Sequence, residues 1–224
     1  MTILYDALIV ANGDIPSQEH WQDIHYRQLI CTDGAAIALP HTITPDIIIG
    51  DLDSTVDSIH FATHSALQMH FPHSKILHLA DQETTDFEKA LNFAQQHSFQ
   101  KVICMGTMGK SADHAMYNLL LLSRFSKKMQ LMYLHYFDQH KQWIFALPEN
   151  ICIHTQINQV ISFLPLPKAR LTTQGLQWEL TDSLITQDGK GAMRNKTTAK
   201  TVHITCQGEC IAFLTDNLHP LADR

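Results

Sequence analysis

No apolar run in the 224 residues approaches the roughly 20 that a helix needs to cross a bilayer, and the longest hydrophobic cluster is the short stretch at 119–122. A helical membrane protein is excluded on that count. Cations are scarce, 16 Lys and Arg against 22 Asp and Glu for a formal charge of −6, and they form no stripe. Affinity for a nucleic-acid backbone comes from clustered cations, so nucleic acid is not the expected partner. The five cysteines are an odd number with no C-x-x-C pair. Cys31 and Cys104 sit in apolar, strand-like runs, so the set reads as reduced and mostly buried, which points to the cytoplasm. The N-terminus has no basic residues ahead of an apolar core, and Asp6 interrupts its hydrophobicity, so it does not read as a signal peptide. Also missing are G-x-S-x-G, H-E-x-x-H and G-x-x-x-x-G-K-[ST], which removes the serine-hydrolase, zinc-protease and P-loop readings.

What remains is a globular composition, 45% hydrophobic and 17% charged, long enough for one large domain or two small ones. Residues 1–137 alternate short aliphatic runs with helical patterns, the signature of an α/β domain around a mainly parallel sheet. Strands are expected at 7–11, 28–31, 46–49, 75–79, 101–105 and 130–134. Helices are expected at 86–97, where Phe87, Ala90, Leu91 and Ala94 share a face behind a Thr85/Glu88 capping box, at 113–125 and at 58–69. From about residue 139 helical periodicity disappears. Residues 138–224 read as a small all-β sandwich with strands at 143–147, 160–164, 169–173, 176–180, 201–206 and 210–214, and turns at 148–150, 165–167, 174–175, 188–189 and 207–208.

Four strand-end loops carry the chemistry. P-D-I-I-I-G-D-L-D-S at 45–54 runs an apolar strand into Gly50 and then into Asp51 and Asp53, two carboxylates able to hold Mg²⁺ beyond a strand's carboxyl end; a helix cap at Asp53 or Ser54 is the plainer use. D-Q-E-T-T-D-F-E-K at 81–89 delivers Asp86 to the same edge with Lys89 one turn later on the same face, although Asp86 also suits a helix N-terminus without any ligand. G-T-M-G-K-S-A-D-H at 106–114 is a glycine-spaced loop whose N–H groups can approach phosphate; a tight turn with Asp113 as a cap is the alternative. C-T-D-G-A-A at 31–36 places Asp33 and Gly34 at a fourth strand end. Together these loops outline one polyphosphate and metal site.

The order of these motifs, D-G-A-A, P-D-x-x-x-G-D-x-D-S, D-Q-x-x-T-D-F-x-K-A-L and G-x-x-G-x-x-x-D-H, resembles the thiamine pyrophosphokinase family, and T-Q-G-L-Q-W-E-L-T at 173–181 resembles that family's T-x-G-L-x-W-x-L-T segment. The resemblance covers nearly the whole chain. It implies transfer of the β,γ-pyrophosphoryl group of ATP to the hydroxyethyl oxygen of thiamine, with Mg²⁺, in a homodimer whose thiamine site lies between subunits. On this resemblance Asp51, Asp53 and Asp86 surround metal and triphosphate; proximity alone makes Asp86 the acceptor of the alcohol proton, and Lys89 steadies the carboxylates or touches phosphate. Asp33, Gly34, Gly106, Thr107, Gly109, Lys110 and Asp113 seat ATP. Gln82 and Thr85 face thiamine, as does Asn195 from the partner chain, while Trp178 is read as core. Two positions depart from the pattern. Ser111 stands where the family has arginine, with Lys110 just before it, and Arg194 replaces the serine of a Ser-Asn pair. The alternatives are a same-scaffold pyrophosphokinase for another hydroxymethyl heterocycle, such as a pterin, and a catalytically silent nucleotide-binding protein.

Overall fold

Residues 7–10 are four consecutive buried positions, and the same holds at 29–32 and 47–50. Runs without polar alternation belong in a sheet covered on both faces, which in turn is a parallel one. A computed structural model, which describes residues 3–52 and 64–221, divides the chain into two compact units, Leu4–Leu131 and Met132–Arg224 with Met1–Ile3.

The first unit contains β1 (Leu4–Val10), β2 (His25–Thr32), α1 (Asp33–Ala38), β3 (Ile47–Gly50), α2 (His64–His70), β4 (Lys75–His78), α3 (Asp86–Gln96), β5 (Lys101–Met105) and α4 (Ala112–Phe125). Its strands pair in the order β5-β1-β2-β3-β4, all parallel. The order runs outward from β1 through β4 and then returns to the opposite side of β1, so the topological switch lies between β1 and β5. In an open α/β sheet the crevice at the switch is where ligands bind. Asp6, a charge inside an otherwise apolar strand, accepts from Gln100 N at 2.8 Å and Lys101 N at 3.0 Å and so pins β5 beside β1.

The helix expected at 86–97 forms with Phe87, Ala90, Leu91 and Ala94 buried and Thr85 Oγ1 accepting from Glu88 N at 3.2 Å. The Glu88 carboxylate goes elsewhere: it accepts from Tyr117 Oη at 2.7 Å and pairs with Arg124, linking α3 to α4. The loop expected at 31–36 is corrected: Cys31 and Thr32 end β2, and from Asp33 the chain forms the short helix α1. The part of the helix expected at 58–69 that precedes residue 64 lies outside the described residues.

The second unit is antiparallel. It holds most of β6 (Gln130–Phe137), then β7 (His140–Ala146), β8 (Asn150–His154), β9 (Val160–Gln174), β10 (Ser183–Thr186), β11 (Ala192–Lys196) and β12 (Thr201–Thr215). β9 pairs with β10, β11 and β12, and β12 pairs also with β7 and β8. β6 extends past the expected residue 134 into a hairpin with β7, turned by Asp138 and Gln139, both left-handed at φ 48° and 63°, the conformation that suits a two-residue hairpin loop. The boundary drawn from sequence at 137/138 falls within this hairpin.

The turns expected at 165–167 and 207–208 are corrected. β9 and β12 run straight through them as two long paired strands, with a register shift between Gly208 and Cys210 opposite Pro165. Proline lacks an N–H and is tolerated at such an irregularity, and Gly208 takes φ +106° there. The strand expected at 176–180 is absent, because Glu179 gathers Gly175 N at 2.7 Å, Leu176 N at 2.9 Å and Thr173 Oγ1 at 2.6 Å into a closed loop. Conversely β8, β10 and β11 were not anticipated. The fold class stands as expected, an α/β part followed by an all-β part. All five cysteines are free; Cys152 is exposed, and burial pushes the Cys31 and Cys104 thiols well above their ordinary range.

A buried carboxylate holds the end of β12. Asp216, 1% exposed, accepts from Thr155 Oγ1 at 2.7 Å, Gln156 N at 2.8 Å and Leu218 N at 2.9 Å. Asp216→Ala leaves three donors without their acceptor, and urea titration is expected to show a loss of about 3 kcal/mol.

Candidate functional site

Three strand ends deliver three carboxylates to one place. Asp33 follows β2 directly, Asp51 follows Gly50 at the end of β3, and Asp86 opens α3 after the β4 loop. One oxygen from each lies within 4.8 Å of the others, and no histidine or cysteine joins this cluster among the described residues. Gly50 makes the approach possible, since a Cβ there would stand 2.8 Å from Asp33 Cγ. Asp33 is 1% exposed, with its Oδ1 accepting from Gly34 N at 2.6 Å.

The repulsion is offset from below. Lys89, 4% exposed, places Nζ 2.9 Å from Asp86 Oδ1 and 3.8 Å from Asp51 Oδ2. Asp51 N donates to Asp86 Oδ1 at 3.2 Å, and Gln82 Nε2 donates to Asp51 Oδ2 at 2.9 Å. The Lys89 ammonium sets one positive charge against three carboxylates, a balance that favours a further cation. Closely set hard oxygen donors with no nitrogen or sulfur among them fit Mg²⁺, whose remaining ligands are usually water and phosphate. Asp53 lies outside the described residues.

The loop carrying Gln82 and Thr85 is shaped by Asp81, which accepts from Glu83 N at 3.0 Å and Thr84 Oγ1 at 2.7 Å. These bonds hold the Asp81 carboxyl below the usual carboxylate range.

Beside the cluster, a cavity of about 270 Å³ opens at the β1/β5 switch. Thr32 and Asp33 bound it on one side, Thr85 and Asp86 on another, and the 106–111 loop with α4 closes the third. Gly106 and Gly109 adopt φ +67° and +86°. A Cβ on Gly106 would strike the backbone of Ala11, and one on Gly109 would strike the Asp14 carboxylate, so the loop can lie this close to the β1 end only with glycine at both positions. Lys110 Nζ donates to Asn12 Oδ1 at 2.7 Å at the cavity edge.

Of the residues expected to seat a nucleotide, Asp33, Gly106, Thr107, Gly109 and Lys110 line this cavity, and Ser111 lines it too. Gly34 sits against the Asn12 side chain. Asp113 points into its own helix start instead. It pairs with Ser111 Oγ and accepts from His114 N at 2.9 Å, bonds that hold its carboxyl low, and it is not part of the lining.

Sequence reasoning passed over Asn12, Thr32, His114 and Asn118, which also line the cavity. Asn12-Gly13 follows a strand at the same edge as the other motifs, and that rule would have found it.

In the second unit, Asn195 is 5% exposed. Its Oδ1 accepts from Trp178 N at 3.1 Å and Lys196 N at 2.8 Å, and Nδ2 donates to the Trp178 carbonyl at 2.7 Å. Its amide therefore ties β11 to the 176–180 loop. Trp178, read as core, is 57% exposed, because the closed loop around Glu179 turns the indole outward. Arg194 is exposed with φ +55°, its N donating to Ser162 Oγ at 2.8 Å.

Two family models match the chain, the catalytic domain of thiamin pyrophosphokinase over residues 18–134 and the vitamin B1 binding domain of thiamin pyrophosphokinase over residues 150–211. Among curated relatives, thiamine pyrophosphokinase 1 of Oryza sativa subsp. japonica is 28% identical over 182 residues, 75% of this chain and 64% of that protein. The chain thus spans less than two thirds of the rice protein's length. Thiamine pyrophosphokinase 2 of Arabidopsis thaliana is 26% identical over 207 residues, 79% of this chain and 73% of that one. Solved structures share the fold. The thiamine pyrophosphokinase of Bacillus subtilis superposes with a TM-score of 0.74 at 22% identity, covering 94% of this chain and 98% of its own. That of Candida albicans gives 0.77 at 15% identity, covering 95% and 89%.

Gly50→Ala tests the cluster. Its Cβ displaces the Asp33 carboxylate without demanding a new backbone conformation, so affinity for Mn²⁺, used as a spectroscopic stand-in for Mg²⁺, is expected to fall about tenfold or more. Electron paramagnetic resonance titration of free Mn²⁺ measures it.

Proposed function

Since the chain belongs to the thiamin pyrophosphokinase family, we propose that it transfers the pyrophosphoryl group of ATP to the hydroxyethyl oxygen of thiamine, releasing thiamine diphosphate and AMP. The observation that carries this reading is the carboxylate cluster with its buried lysine, set beside a cavity at the sheet's switch point. Neither another heterocyclic alcohol nor a silent binding role is favoured by any feature of the chain.

Phosphoryl-type transfer asks little covalent chemistry of a protein; positioning and charge neutralisation supply most of the acceleration. Asp33, Asp51 and Asp86 would hold Mg²⁺, which when bound neutralises phosphate oxygens and draws electron density from the phosphorus under attack. The thiamine hydroxyl oxygen forms the new bond to the β-phosphorus while the bond from that phosphorus to the α,β-bridging oxygen breaks, and AMP leaves with the bridging oxygen. Asp86 is the candidate to take the alcohol proton. Lys89 holds Asp86 and Asp51 in place from beneath, and the Gln82 amide fixes the outer oxygen of Asp51. Lys110 is the cation at the cavity edge available to a phosphate; it lacks the two-pronged geometry of an arginine.

Thiamine carries a planar cationic thiazolium ring, and the exposed indole of Trp178 offers the face that such a ring stacks on. Leu184 and Met193, also exposed in the second unit, suit a surface that a second subunit covers. We accordingly propose a cytoplasmic homodimer.

Purified protein given ATP, Mg²⁺ and thiamine is expected to form AMP and thiamine diphosphate in equal amounts, with no ADP, by chromatography of products. AMP formation without thiamine dependence would overturn the substrate assignment. Asp51→Asn is expected to lower turnover roughly 100-fold or more with little change in melting temperature, because it removes charge from a repulsive cluster. A large fall in melting temperature would give Asp51 a structural role instead.

A further inference from the structure

The pairing of β8 with β12 in the second unit gathers three side chains that the proposed reaction does not use. Ile153 on β8 and Val202 and Ile204 on β12 are buried, while Cys152 and His203 between them are exposed and His154 is half-buried. Successive side chains of a strand point to opposite faces, so Cys152, His154 and His203 share the face that the buried residues turn away from. The register fixes their spacing: Cys152 stands directly opposite His203, and His154 opposite Thr201. Directly opposed residues hold their Cβ atoms about 5 Å apart and diagonal ones about 7 Å, and Cys152 and His154, two apart on one strand, are also separated by about 7 Å. Beside them a cavity of about 280 Å³ is lined by residues 150–152 and 203–205. Of the five free cysteines the other four are buried, and Cys152 is the exposed one.

We infer that Cys152, His154 and His203 bind a thiophilic divalent cation of the Zn²⁺ class. Thiolate sulfur and imidazole nitrogen are the donors such a cation prefers, at about 2.3 Å and about 2.0–2.1 Å, whereas the oxygen-only set of Asp33, Asp51 and Asp86 suits a hard cation. The three donor atoms do not converge as the carboxylate oxygens do. Side chains on an open face turn about χ1 with little hindrance, and two imidazoles and a thiol meet above a triangle of this size. The Cys152 thiol gives up its proton to solvent as the metal–sulfur bond forms, and water completes the coordination. β8 pairs with β12 alone among the described strands, so a metal bridging Cys152 to His203 staples an edge strand to the sheet. The inference owes nothing to the ATP reading.

The test titrates the full chain and its Cys152→Ser, His154→Gln and His203→Gln variants with Co²⁺, a spectroscopic stand-in for Zn²⁺, in excess Mg²⁺, which competes for oxygen donors and not for a thiolate. Wild type is expected to show a thiolate-to-cobalt charge-transfer band in the near ultraviolet that Zn²⁺ abolishes by displacement. The band is expected to vanish in Cys152→Ser, and each histidine variant is expected to bind Co²⁺ about tenfold more weakly or worse. A second measurement needs no substitution: Zn²⁺ is expected to slow the alkylation of Cys152 by iodoacetamide about tenfold or more, read by mass spectrometry of the modified peptide. A wild type without the thiolate band, a band that survives in Cys152→Ser, a histidine variant that binds as tightly as wild type, or alkylation of Cys152 that Zn²⁺ leaves unchanged overturns the inference. Each of these results leaves the pyrophosphokinase reading intact.

Discussion

The ion pair between Lys89 and Asp86 is the constraint on which the site depends. Three strand ends bring one carboxylate oxygen each within 4.8 Å of the others, an arrangement that repels itself. The buried ammonium relieves part of that repulsion and spends one turn of α3 to do so, because Asp86 and Lys89 stand three residues apart on one face. The same lysine reaches Asp51, so a contact local to a helix also fixes a residue on a different strand. One ammonium set against three carboxylates is a charge balance that favours a further cation.

That pair is held in turn by apolar packing and by a second charged link between helices. Phe87, Ala90, Leu91 and Ala94 seat α3, and Glu88 reaches across to Tyr117 and Arg124 on α4. The helix that presents Asp86 is thereby joined to the helix that closes the cavity. Glu88 also shows how a motif is reused: the threonine half of the capping box works as expected, and the glutamate half has been drawn away to a tertiary role.

How much of this was legible in the sequence differs between the two units. The parallel strands announce themselves as unbroken aliphatic runs, and the rule that ligands sit at strand carboxyl ends locates Asp33, Asp51, Asp86 and the 106–111 loop without any structure. Thr32 and Asn118 escaped because their significance lies in burial and in what stands across the cavity, neither of which a lone threonine or a mid-helix asparagine advertises. In the second unit, proline and glycine misled. Pro165, paired with Cys210, and Gly208, paired with Ala169, flank a register shift inside two long strands, where local turn chemistry and tertiary pairing ask for the same residues. Asn195 was read as a ligand contact, and in the fold hydrogen bonds to Trp178 and Lys196 engage its amide, a structural use that motif position does not announce.

The placement of β1 bears on how the first unit is made. This strand is made before the other strands of the unit, yet one of its two neighbours, β5, follows more than 90 residues later, as the Asp6 bonds to Gln100 and Lys101 record. Parallel pairing at such separation is slow to close, because the intervening chain loses its freedom before the contact stabilises anything. Until β5 arrives, β1 presents an unpaired apolar edge, the feature through which nascent chains associate with one another. The crevice at the switch does not exist before that moment, so any ligand of the crevice binds only a completed unit and would draw late intermediates toward the finished fold.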